Sequence, residues 1–115
     1  MIILAVAIYC EARPLIAKYG LKKDESYMPF TVFTNEEKQI LLIITGSGNA
    51  AAASSVAGVC AKLDLKAGEN FLVNIGTCAS ASASDEIYIC SKITDESSGR
   101  TFYPDMIYKN PFNEA

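Results

Sequence analysis

Three short segments of this sequence hold residue types that could do chemistry. One is Thr45-Gly-Ser-Gly-Asn-Ala-Ala51, between an apolar run and an alanine-rich run. Backbone N–H groups at the start of a helix attract anions, and glycines allow a ligand to come close. The spacing of Gly46, Gly48 and Ala51 satisfies the G-x-G-x-x-A form of a dinucleotide fingerprint. That form also requires an acid at the end of the next strand. The next strand-like run, 70–75, holds none, and Asp64 comes too early. No Gly-Lys-Ser/Thr follows, so a nucleotide P-loop is excluded. A turn whose glycines serve only packing is the plain alternative. A second segment is Asn74-Ile-Gly-Thr-Cys-Ala-Ser80, which follows an apolar run. The Gly76-Thr77 pair would set a hydroxyl beside an approachable backbone at a strand's carboxyl end, where open α/β sheets bind ligands. An ordinary loop start is its alternative. The third is Tyr9-Cys-Glu-Ala-Arg13. Glu11 could act as a general base there, or simply be a first-turn acid favoured by the helix dipole.

The rest of the composition narrows the chemistry. The 115 residues contain no histidine, which removes Ser–His and Cys–His catalysis and His-ligated metal from this chain. Ten basic residues stand against thirteen acidic ones, giving a net charge of −3 and no basic stripe. Nucleic acid is therefore not an expected partner. Cysteines 10, 60, 78 and 90 form no C-x-x-C pair. Buried, reduced thiols in an intracellular protein are the expected state, although even parity would permit two disulfides. The first apolar run lasts about eight residues with no basic residue before it. It is too short for a membrane span and lacks the form of a signal peptide. A cytoplasmic protein without membrane partners is expected.

Those three segments need a scaffold, and the hydrophobic pattern supplies one. Half the residues are apolar and mean hydropathy is +0.20, so the chain has material for a core. A chain this size buries roughly two-thirds of its unfolded surface. The run 1–8 reads as a strand covered on both faces. Residues 11–19 have helical spacing, with Pro14 in the first turn and Gly20 as the stop. Residues 21–28 read as a polar connection. The runs 30–33 and 39–45, joined by a short polar link, predict an antiparallel hairpin. Residues 50–63 predict a helix whose apolar face is Val56, Val59, Cys60 and Leu63, with small residues for close approach to a sheet. A turn at 65–69, a buried strand at 70–75, a small polar stretch at 76–84 and a strand at 86–93 follow. The alternating residues 79–84 read as a mobile loop. The order β-α-β-β-α-β-β predicts an α/β layered sheet with flanking helices. At the end, Asn110-Pro-Phe-Asn-Glu114 has the form of a helix start, as though the chain were the front part of something longer, with a frayed tail as the alternative.

In combination the segments resemble a known family. An apolar first strand leads into Ala-Ile-Tyr-Cys-Glu-Ala-Arg-Pro-Leu-Ile, then Ile-Thr-Gly-Ser-Gly-Asn-Ala-Ala-Ala, then Val-Asn-Ile-Gly-Thr-Cys-Ala. This series resembles the purine/uridine phosphorylase superfamily, which includes the nucleoside phosphorylases and the methylthioadenosine/adenosylhomocysteine nucleosidases. The resemblance covers most of the chain but only about the first half of a typical member. It implies that residues 1–115 are a single, incomplete nucleoside phosphorylase-like domain.

The roles implied by the resemblance attach to particular residues. Glu11 matches the acid that activates water or holds ribose. Gly46 and Gly48 match the small-residue turn of the substrate site. Thr77 matches the hydroxyl residue that binds phosphate in the phosphorylases. Gly76, Cys78 and Ala79 match backbone positions beside the substrate. The phosphorylase arginine of the last motif falls at Asn74, which leans toward the nucleosidases; Arg13 or Arg100 could compensate. No cofactor is implied, with inorganic phosphate as co-substrate if the enzyme is a phosphorylase. The implied activity is cleavage of the N-glycosidic bond of a purine nucleoside, by a homo-oligomer. The Met-Glu pair that holds the ribose hydroxyls and the aspartate that protonates the base belong to the second half of the family's fold. The chain alone is therefore expected to be inactive. A truncated nucleoside-binding module and a dinucleotide-binding domain are the alternatives.

Overall fold

The computed structural model describes residues 1–37, 39–63, 65, 70–79, 81, 87–104 and, for the backbone, 113–114. Aliphatic runs become the strands of a mixed sheet. β1 (Ile2–Val6) is followed by α1 (Tyr9–Tyr19), a two-residue strand β2 (Lys22–Lys23), β3 (Thr31–Thr34) and β4 (Ile40–Ile44). Then come α2 (Asn49–Ala61) and β5 (Phe71–Ile75). The sheet order is β2-β3-β4-β1-β5. β1 runs parallel to β4 on one side and to β5 on the other, while β3 is antiparallel to β4. This is the α/β layered fold expected, with the 30–33 and 39–45 runs forming the hairpin.

Consecutive strand residues point to opposite faces, and each face receives one helix. Ile3, Val32, Leu41 and Ile43 pack with Val59 of α2, supported by Val56, Cys60 and Leu63. Leu4, Val6 and Leu42 pack on the other face with Ala12, and with Leu15 and Ile16 of α1. The apolar face expected for α2 is therefore the one it buries. Ile3, Leu41, Leu42 and Ile43 are each less than 2% or at most 2% exposed. Burying one such side chain contributes about 1.5–3 kcal/mol.

The termini of both helices follow from local chemistry. α1 ends in a Schellman motif. Gly20 adopts φ 62° and ψ 37°, a left-handed conformation that glycine takes without a Cβ penalty. Its N–H donates to the Ala17 carbonyl at 3.4 Å, and the Leu21 N–H donates to Ile16 at 3.0 Å. Leu21 and Ile16 also belong to one apolar cluster, completing the motif. α2 lies close enough to the hairpin that a Cβ at Gly58 would overlap the Phe30 ring.

Several expectations are corrected. The first strand ends at Val6 and the helix starts at Tyr9, so Pro14 lies in the second helical turn. There it has no N–H to give the Cys10 carbonyl. The connection 21–28 contains β2 and a 3-10 turn, Glu25–Tyr27. A lysine pair on a short edge strand has the polarity of a loop, which hides it from periodicity. β5 is not buried. It stands at the end of the sheet, with Phe71, Leu72 and Val73 exposed at 42, 58 and 40%. Continuous apolarity here marks a strand with both faces apolar, and burial depends on neighbours the run itself does not specify. The cysteines are all unpaired, but Cys10, Cys78 and Cys90 are exposed and Cys60 is only half-buried.

The chain divides into two compact units, Met1–Cys78 and Ala79–Ala115. In the second, the strand expected at 86–93 is two shorter ones. β6 (Tyr88–Ile89) pairs in parallel with β9 (Asn113–Glu114). β7 (Ile93–Thr94) pairs antiparallel with β8 (Thr101–Phe102). The strand β9 stands where a helix start was expected at 110–114; residues 110–112 lie outside the described residues. So do most of the turn expected at 65–69 and most of the 79–84 stretch. Among the described residues, no helix is long and apolar enough to cross a membrane.

Candidate functional site

The parallel strands β4, β1 and β5 point their carboxyl ends to one edge of the sheet. β1 leads into α1 on one face and β4 leads into α2 on the other. A crevice opens where adjacent strands send their connections to opposite faces, and open α/β sheets bind ligands there. The three chemically interesting segments follow these three strands.

Glu11 is in the first turn of α1, on β1's side of this edge. Thr77 follows β5, the strand paired with β1. They meet directly, although 66 positions apart. Thr77 donates twice to Glu11 Oε1: its backbone N–H at 3.2 Å and its hydroxyl at 2.9 Å. The second carboxylate oxygen, Oε2, is buried and has no hydrogen-bond partner among the described residues. One side of the carboxylate is thus fixed, and the other keeps its acceptor capacity in a place shielded from water. A buried acceptor left unsatisfied costs about 1–3 kcal/mol, and more if charged. An O–H or N–H donor brought within reach of this oxygen would remove that cost.

The Thr45–Gly48 turn is held by a separate network. The Thr45 N–H donates to Val6 at 2.8 Å and the Gly46 N–H to Ala7 at 3.0 Å, so the chain keeps bonding to β1 beyond the end of β4. The Thr45 hydroxyl donates to the Gly46 carbonyl at 2.8 Å. Ser55, buried in α2, donates to the Thr45 carbonyl at 3.0 Å. Gly46 and Gly48 have φ of 83° and 95°, values that require glycine. Gly48 caps α2 without a side-chain hydrogen bond, and the first turn of α2 carries no acid. The start of α2 follows β4 and so lies at the same sheet edge as Glu11 and Thr77. No hydrogen bond joins Gly48 to that pair among the described residues.

The other residues expected at the site fall as follows. Gly76, Cys78 and Ala79 are exposed and flank Thr77. A Cβ at Gly76 would stand 4.0 Å from Glu11 Oε1, an ordinary contact, so space does not demand glycine there. Arg13 is exposed on α1. Thr45 opens the glycine segment, but no motif assigns a role to its carbonyl or to Ser55. The only signal for Ser55 is a serine pair interrupting a small apolar helix. Among the described residues, no cluster of three metal-ligating side chains exists. An open groove of about 250 Å³ lies along β2, with Lys22, Asp24 and Asn35 in its lining, at the edge of the sheet opposite β5.

In comparisons with known proteins, no family model matches the chain, and neither a curated protein nor a solved structure does.

Proposed function

We propose that the carboxyl edge of this sheet is part of a nucleoside site, of the kind that serves cleavage of an N-glycosidic bond. The observation that carries the reading is the Glu11–Thr77 pair, with one carboxylate oxygen fixed by two donors and the other buried and unspent. A ribose presents vicinal hydroxyls, which are donors that such an oxygen accepts. The glycine turn at Gly46–Gly48 supplies backbone N–H groups at the same edge. The resemblance of the three segments to the purine/uridine phosphorylases supports the choice of a purine nucleoside.

Glu11 would hold the ribose or the attacking oxygen, and Thr77 would fix Glu11. Departure of the base requires a proton on the leaving purine. The resemblance assigns that donor to the second half of the family's fold. The 115-residue chain is therefore read as binding a nucleoside without turning it over.

Titration calorimetry with adenosine and inosine tests this, together with chromatography for released purine. Saturable binding that weakens in Glu11→Ala is the expected result. No binding of either nucleoside would sink the reading. Release of purine by the chain itself would overturn the reading of binding without turnover.

A further inference from the structure

We propose that the outer edge of β5 is a docking surface for a second copy of this chain, whose own β5 pairs with it antiparallel about a two-fold axis. The sheet then runs on without a break from one copy into the other.

The two edges of the sheet are built differently. β2 is two residues long and consists of Lys22 and Lys23. A short edge strand bearing lysines resists pairing with another chain. β5 runs for five residues, Phe-Leu-Val-Asn-Ile, with no charge and no proline. One side of its backbone is open. The Phe71 N–H donates to the Met1 carbonyl at 3.0 Å, so Phe71, Val73 and Ile75 turn their backbone groups toward β1. Leu72 and Asn74 turn theirs outward, and among the described residues no strand lies on that side. Both faces of β5 also expose apolar surface. Ile75 packs in the α1 cluster, which puts Phe71 and Val73 on the same face, where both are exposed. Ile2, in register with Phe71, extends that exposed strip onto β1. Leu72 is exposed on the α2 face.

The character of this edge selects a second copy as its occupant. An axis through Val73 sets Val73 against its own counterpart, Phe71 against the partner's Ile75, and Leu72 against the partner's Asn74. Leu72 and Asn74 then form the hydrogen-bonded pairs and Val73 the non-hydrogen-bonded one, the alternation that an antiparallel ladder requires. The outward backbone groups of Leu72 and Asn74 are all used. No like charges meet across the axis, because residues 71–75 carry none. β5 is already ordered by β1, so the partner brings a formed strand and little ordering entropy is lost. An extended peptide would lose that entropy on docking. Covering Phe71, Leu72 and Val73 supplies the apolar drive. The opposite edge is guarded by its lysines, so the pairing is isologous and closes at two copies instead of growing into a fibre. The contact is one strand wide, smaller than a standard interface, so the dimer is weak and depends on concentration.

Sedimentation velocity on the full chain, from about 10 μM to about 1 mM, covers the affinity range of such a contact. The mass is expected to rise from 12.4 kDa toward twice that value. Over the same range, hydrogen exchange at the Leu72 and Asn74 amides should slow as the dimer fills. Val73→Lys sets two like charges together on the axis and should weaken association by at least about tenfold while circular dichroism stays unchanged. If Val73→Lys does not fold, Leu72→Lys takes its place at the more exposed position and is expected to act in the same direction. A chain that stays at 12.4 kDa at the highest concentration overturns the proposal. So does growth beyond two copies. A dimer that leaves exchange at the two amides unchanged, or that the folded lysine variant does not weaken, also overturns it, because another surface would then be the interface.

Discussion

Ser55 in α2 donates its hydroxyl proton to the Thr45 carbonyl across 3.0 Å, joining the buried side of the helix to the turn that precedes it. Ser55 is 8% exposed, so water does not readily replace this bond. The same Thr45 gives its own N–H to Val6 and its hydroxyl to Gly46. One serine thus ties α2, the glycine turn and β1 into a single hydrogen-bonded unit at the candidate site.

Ser55→Ala removes that donor and leaves a carbonyl in a shielded place. A loss of about 1–3 kcal/mol is expected from the unsatisfied acceptor. Urea unfolding followed by circular dichroism measures it. A change within a few tenths of a kcal/mol would show that the turn is held by the Thr45 bonds alone.

Gly58 and Phe30 should be energetically coupled. Gly58→Ala gains about 1 kcal/mol of helix propensity. Its new Cβ would overlap the Phe30 ring, and overpacking costs about 1–3 kcal/mol. The single substitution is expected to be destabilising. In a Phe30→Ala background the clash is gone, and Gly58→Ala should stabilise. A double-mutant cycle reads this coupling, and additivity would reject the contact.

Leu42 and Leu72 are the same residue type in strands of the same sheet, yet they should respond differently. Leu42 is fully buried on central strand β4, whereas Leu72 on β5 is 58% exposed. Leu42→Ala should cost about 2–5 kcal/mol. Leu72→Ala should cost less than about 1 kcal/mol, since little of its surface leaves water on folding. Equal losses in chemical denaturation would contradict the edge position of β5.

Thr77→Val keeps the shape and removes the hydroxyl donor to Glu11. The contact is exposed, so the effect on global stability should stay under about 1 kcal/mol. Nucleoside affinity should fall by about tenfold as the carboxylate loses its fixed orientation, equivalent to about 1.4 kcal/mol. Thr77→Ser should retain it. Calorimetry on the three proteins separates these outcomes.

Asp95 gives a pH prediction for the second unit. Hydrogen bonds from the side chain of Ser98, then from the side chain and backbone of Ser97, hold its carboxyl below the ordinary value of 3.8. A depressed folded-state pKa favours the ordered turn above the unfolded value. That preference fades as pH falls through the folded value. The Ser97 amide signal should therefore titrate with a midpoint below 3.8. A midpoint at or above that value would show that the 95–98 contacts do not persist in solution.

The sequence determined most of the elements of the first unit. Apolar runs marked β1, β4 and β5, a short polar link marked the hairpin, and Gly20 marked the end of α1. These are local properties: a left-handed terminus, unbroken apolar runs, a small-residue face on α2. It also marked Glu11 and Thr77 as residues at strand ends. Tertiary structure alone decided that these two touch, because the contact depends on β5 pairing beside β1 rather than elsewhere in the sheet. It decided that Ser55, unremarkable within its helix, faces Thr45. It likewise decided that Phe71, Leu72 and Val73 stand at an edge. Apolarity states what a side chain favours, whereas burial is set by which strands lie alongside, and that is a property of sheet order. The lysine pair of β2 was silent for the complementary reason. Charge on an edge strand and charge in a loop satisfy the same demand for water, and only the partner strand distinguishes them.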